Sequence, residues 1–150
     1  MKKIYFAGSI RGGREDVGIY LGIVEHLKTH GDVLTEHVAD GGLALMGEDG
    51  LSDKQIHDRD VDWLGDSNVV VAEVTRASLG VGYELGRMVE RNKWVDAGLE
   101  KDILCLYRPQ VDKRLSAMIA GSDSRRLKVR EYQTIEESKK IIDDFFDSIR

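Results

Sequence analysis

Glu84 stands in the stretch "SLGVGYELG", Ser78 to Gly86, a single carboxylate among glycines at 80, 82 and 86 directly after a run of β-branched residues. Glycine costs a helix about 1 kcal/mol relative to alanine, so three of them near a helix start need a reason, such as close approach of backbone or ligand. In the first or second helical turn, aligned backbone amides favour an anionic carboxylate, and an ionised carboxylate suits a nucleophile. The alternative is a surface glutamate paired along the helix with Arg87 or Arg91. Asp60 is the second carboxylate to weigh. In "SDKQIHDRDVDWLGD" it falls four residues after Ile56 and three before Trp63, on an apolar face instead of the solvent side. Partial burial raises an aspartate's pKa and makes it a candidate general acid; the alternative is a residue that caps or hydrogen-bonds a neighbouring loop. Two carboxylates of unlike environment are what cleavage of a glycosidic bond needs, a nucleophile for the anomeric carbon and an acid for the leaving group.

The residues around them suggest what else the substrate carries. Ser9, Arg11, Gly12, Gly13 and Arg14 in "GSIRGGRED" form a glycine-rich, cationic turn, and Ser78 stands at a helix start where amides and a hydroxyl can hold a phosphate. For Ser78 an ordinary N-cap is the competing reading. "GSIRGG" is neither a P-loop nor a dinucleotide fingerprint, and "GVGYELG" misses the G-x-G-x-x-G spacing by one residue. Tyr5, on the first strand, is either a core residue or one whose hydroxyl reaches a carboxylate in the crevice. His37 either contacts a base or finishes a loop. His26 and His30 read as exposed helix residues, and His57 lies one turn before Asp60. The lone Cys105, in "ILCLY", reads as a buried structural thiol; no Cys/His cluster has metal-ligand spacing, so no metal is implied.

Elements must bring these residues together. Strand-like runs occur at "KIYFAG", "DVLTEHV", "NVVVAEV", "DILCLY" and "LKVREY", separated by segments of helical spacing. Val17, Tyr20, Leu21, Val24 and Leu27 make one helical stripe, Ile135, Ile142, Phe145 and Ile149 another, and Ser52 with Gln55 has capping-box spacing. The alternation predicts an α/β fold, Rossmann-like (flavodoxin-like), with a five-stranded parallel sheet covered by helices on both faces. The common order for such a sheet, 2-1-3-4-5, puts the ligand crevice beyond the carboxyl ends of the first and third strands. The glycine-rich segments at Ser9 and Ser78 should meet there, beneath "ADGGLALMGEDG" as a flap.

The 150 residues suit one domain, 1–150. Net charge is −5 with both signs interspersed, which argues against polymeric nucleic acid as a partner while leaving room for a small anion. The N-terminus reads as a first strand, not a signal peptide or membrane span, and a cytoplasmic protein is expected.

Taken together, "YFAGSIRGGRED", "VLTEHV", "IHDRDVDWL", "VVVAEVTRASLGVGYELGR", "ILCLYRPQ" and "RLSAMI" resemble the 2′-deoxynucleoside 5′-monophosphate N-glycosidases, relatives of the nucleoside 2-deoxyribosyltransferases, from about residue 4 to residue 121. The resemblance implies a Rossmann-like homodimer that releases a free base and deoxyribose 5-phosphate without a cofactor. It makes Glu84 the nucleophile of a covalent deoxyribosyl intermediate, has Asp60 assist proton transfer or orient the sugar, and has Tyr5 position Glu84 and help exclude a 2′-hydroxyl. It implies a phosphate held by Ser9, Arg11 and Ser78 of one chain and Ser116 of its partner, beside the glycines at 12, 80 and 82. Gly8, Ile10, His37, Ile56 and Met118 match pocket-lining positions. The sequence departs from the family at "NKWVDAGLEKD", a longer connection that bears on dimer contacts, and in the final helix from Thr134. Two rivals share the crevice: a deoxyribosyltransferase acting on free deoxynucleosides, and a nucleotide-sensing module without catalysis.

Overall fold

The apolar runs pair side by side. Strands β1 (Lys2–Ala7), β2 (Gly31–Val33), β3 (Val69–Glu73), β4 (Asp102–Tyr107) and β5 (Leu127–Glu131) form one all-parallel sheet in the expected order β2-β1-β3-β4-β5. This computed structural model describes residues 1–9, 16–39 and 50–150. The helices between and after the strands are α1 (Val17–Leu27), α2 (Asp53–Asp66), α3 (Leu79–Arg91), the short α4 (Ala117–Ala120) and α5 (Ile135–Ser148).

Alternation along the strands sorts the core into two layers. Ile4, Phe6, Val69, Val71, Leu104 and Leu106 pack against Tyr20, Ile23, Val24 and Leu27 of α1 and Ile142, Phe145 and Phe146 of α5. On the opposite face Tyr5, Ala7, Val70, Ala72, Ile103 and Cys105 pack against Leu64 of α2 and Val81, Leu85 and Met88 of α3. Tyr5 therefore projects toward the same side as α2 and α3, the helices that carry both candidate carboxylates.

Two expectations need correction. The run "DVLTEHV" is strand only over Gly31–Val33 and turns into a 3₁₀ helix at Glu36–Ala39. A side chain replaces the ladder: Thr35 Oγ1 accepts from Phe6 N at 2.7 Å and donates to Phe6 O at 2.6 Å, satisfying the strand's backbone without continuing it. In α1 the buried stripe uses Ile23 in place of Leu21, which is half exposed. The capping box forms as its spacing predicts, with Ser52 Oγ accepting from Gln55 N and Gln55 Oε1 from Ser52 N. The expected flap, apart from its end residues Ala39 and Gly50, lies outside the described residues.

Candidate active site

Glu84 is the sixth residue of α3, in its second turn, and its side chain meets Tyr5 of β1: the phenol hydroxyl donates to Glu84 Oε1 at 2.9 Å. The neighbouring cations are engaged elsewhere. Arg87 donates to the Tyr83 hydroxyl at 2.9 Å, and Arg91 donates to Leu99 O. Burial pushes the Glu84 carboxyl up to about 7; the Tyr5 hydrogen bond lowers it and the nearby Asp60 charge raises it further. The helix-amide argument alone predicts an anion, and here desolvation outweighs it. Tyr5 is nearly fully buried, and burial together with Glu84 and Asp60 pushes its hydroxyl well above the ordinary phenol range, so it stays a donor.

Asp60 lies on the half-buried side of α2 with Ile56 and Trp63. It does not face bare apolar surface, because Arg59 donates to its Oδ1 through Nε at 2.9 Å and through Nη2 at 2.7 Å. The same guanidinium lies over the Trp63 ring, 4.7 Å from its centroid, and 3.3 Å from His37 Nε2. His37 in turn packs at 5.6 Å, centroid to centroid, from Trp63. The 3₁₀ turn that ended the second strand early thus delivers His37 to α2. Arg59 and Trp63 escaped the sequence reading, although their i, i+4 spacing suits a cation–π pair on one helix face.

Of the expected phosphate ligands, Ser9 is fully buried, and among the described residues its Oγ has no hydrogen-bond partner. Ser78 is the N-cap of α3, its Oγ accepting from Val81 N at 3.3 Å; a capping hydroxyl keeps its own proton to donate. Ile10, Arg11 and Gly12 lie outside the described residues, as do Gly13 and Arg14. Gly8 passes so close to Tyr20 that a Cβ would meet its ring at 3.1 Å, which supplies a packing reason for that glycine. Around Gly82 and Gly86 a Cβ would meet nothing within 4 Å, and at Gly80 only Ser78 Oγ at 3.9 Å. Among the described residues, packing does not demand these three glycines.

Ser116 and Met118 sit at the exposed start of α4, where Ser116 Oγ accepts from Met118 N. A charged network missed by the sequence reading ties the ends of β3 and β4 to the start of α1. Buried Asp16 accepts from Arg108 at 2.9 Å and lies 3.6 Å from Arg76 Nε, and buried Glu73, its carboxyl pushed up by desolvation, accepts from Thr75 N at 3.0 Å. His26 and His30 are not exposed helix residues: both are largely buried and both contact Asp143 of α5.

A sequence model described as nucleoside 2-deoxyribosyltransferase matches residues 4–124. A zebrafish (Danio rerio) protein named 5-hydroxymethyl-dUMP N-hydrolase is 52% identical over 147 residues, covering 97% of this chain and 96% of that protein. A protein of Nematostella vectensis named putative 2′-deoxynucleoside 5′-phosphate N-hydrolase 1 is 49% identical, covering 99% of this chain and 96% of its own length. A solved CMP N-glycosidase of Clostridium botulinum shares the fold with a TM-score of 0.64 at 15% identity, covering 96% of this chain and 99% of that one.

Proposed function

The chain belongs to the nucleoside 2-deoxyribosyltransferase family, and from that premise we propose that it is a glycosidase that hydrolyses the N-glycosidic bond of 2′-deoxynucleoside 5′-monophosphates, giving free base and 2-deoxyribose 5-phosphate. The observation that carries the reading is a part-buried carboxylate, Glu84, that Tyr5 orients by a 2.9 Å hydrogen bond and that desolvation pushes up to about 7. Glu84 attacks the anomeric carbon as the base departs, and the new bond is a glycosyl ester; water then cleaves the ester, so the sugar's configuration is retained. Asp60, held by Arg59, assists the proton transfers or orients the sugar. Tyr5 fixes the Glu84 oxygen and crowds the position a 2′-hydroxyl would take.

The Ser9 hydroxyl, without a partner among the described residues, and the start of α3 at Ser78 support a phosphate-bearing substrate, as do the relatives' names, which specify a dUMP derivative and a 2′-deoxynucleoside 5′-phosphate. The family resemblance assigns Arg11 to the same phosphate. His37 and Ile56, on the α2 side, face the base. Ser116 and Met118 are exposed in the single chain, and Leu79 and Tyr83 share an exposed apolar face of α3; this supports a homodimer in which the partner's Ser116 reaches the phosphate.

The relatives' names make 5-hydroxymethyl-dUMP the first substrate to test, with dGMP and the corresponding ribonucleotides beside it. Release of free base and deoxyribose 5-phosphate from the deoxynucleotide, abolished by Glu84→Ala, is the expected result. Base release undiminished in Glu84→Ala overturns the assignment of the nucleophile. Faster turnover of free deoxynucleosides with an acceptor base overturns the hydrolase reading in favour of transfer.

A further inference from the structure

We propose that His26, His30 and Asp143 form a site for a zinc-class divalent metal that ties the first helix to the last. His26 Nε2 and His30 Nε2 each lie 2.7 Å from Asp143 Oδ1. All three ligand atoms fall within 4.8 Å of one another, and no other group of three such residues is found among the described residues. Tetrahedral zinc with bonds of about 2.0 Å sets its ligand atoms about 3.3 Å apart. The cluster therefore needs shifts of about an ångström, most easily made by Asp143, whose side chain is half exposed.

His26 lies in the last turn of α1 and His30 three residues past its end, in the turn before β2, and both reach the same Asp143 oxygen. Their rings are held in place: His30 stacks on Phe146 at 4.4 Å between centroids, and His26 meets His30 edge-on at 5.6 Å. Their side chains are only 20% and 18% exposed, which lowers the entropy lost on binding. Two imidazoles and one carboxylate with an open fourth position suit zinc better than calcium or magnesium, which prefer all-oxygen ligands. On binding, each neutral ring carries its proton on Nδ1 and presents the Nε2 lone pair to the metal, and Asp143 exchanges its contacts with both rings for a metal bond.

The place of the cluster separates it from the reaction. In a parallel sheet each crossover helix runs back against its strands, so α1 and α5, packed together on one face, both end at the sheet's amino edge. His30 immediately precedes β2, whereas Glu84 and Ser78 follow the carboxyl end of β3. The metal contributes a cross-link between distant parts of the chain, not a catalytic group.

The test uses the full chain stripped with a chelator. Calorimetric titration with Zn²⁺ should show one saturable equivalent, and Co²⁺ should give a visible absorption band of a nitrogen–oxygen site. At a free metal concentration about a hundred times the dissociation constant, the melting midpoint should rise by roughly 5 °C or more. His26→Ala and the near-isosteric Asp143→Asn should each weaken binding by about tenfold or more while keeping the apo protein's circular dichroism. Absence of saturable binding by the wild-type chain, or binding undiminished in Asp143→Asn, overturns the proposal.

Discussion

Glu84 gains from the amides ahead of it in α3 and loses more by leaving water, so its carboxyl titrates near 7 instead of at the ordinary value of 4.5. If the ionised form is the nucleophile, kcat/KM rises with pH through an acid limb near 7. The Tyr5 hydrogen bond lowers that pKa, so Tyr5→Phe should move the limb to higher pH as well as slow the reaction; a pH–rate profile of both proteins decides this. The same shift has a stability consequence. Because the folded state holds the Glu84 proton more tightly than the unfolded chain, stability contributed by the protonated carboxyl is present below about 4.5 and lost as pH rises through about 7. Glu84→Gln should thus lower activity by about a thousandfold or more and yet, at pH values above 7, raise stability by on the order of 1–3 kcal/mol. Denaturant melts above pH 7 and below pH 4.5 should show that advantage only in the former.

Element boundaries depend on where backbone groups find partners. β2 stops after Gly31–Val33 because Thr35 serves Phe6 with its side chain on both the N–H and the C=O, and this frees the chain to turn and present His37 to Arg59. Thr35→Val keeps the shape and leaves both buried backbone groups unpaired, which should cost about 1–3 kcal/mol in urea unfolding. The connection "NKWVDAGLEKD" is built in a comparable way. Asn92 brackets Lys101, accepting from its N–H and donating to its C=O at 2.9 Å each. Buried Lys101 then donates to the carbonyls of Leu64, Gly65 and Ser67 at 2.8, 2.6 and 2.5 Å, closing the carboxyl end of α2. The capping box at Ser52 could be read locally, since its two partners are three residues apart. The Thr35 and Lys101 devices could not, since their partners lie 29 and up to 37 residues away.

At the scale of the molecule, a site shared between two chains makes a distinctive prediction. If Glu84 of one chain works with Ser116 of its partner, mixing inactive Glu84→Gln with inactive Ser116→Ala dimers and allowing exchange creates heterodimers with one intact and one doubly altered site. A one-to-one mixture should recover roughly a quarter of wild-type base release, whereas sites complete within one chain should recover none. The sequence by itself determined the alternation of strands and helices and the order of the sheet, because these follow from hydrophobic period and the common topology of parallel crossovers, and it singled out Glu84, Asp60 and Tyr5. The tertiary structure alone decided how they meet. Tyr5 and Glu84 are 79 residues apart, Arg108 and Asp16 are 92 apart, and His26 and Asp143 are 117 apart. A carboxyl pushed up to about 7 and an aspartate met by two histidines from the other end of the chain arise only when distant segments pack together, because burial and hydrogen bonding at each site are set by neighbours in space.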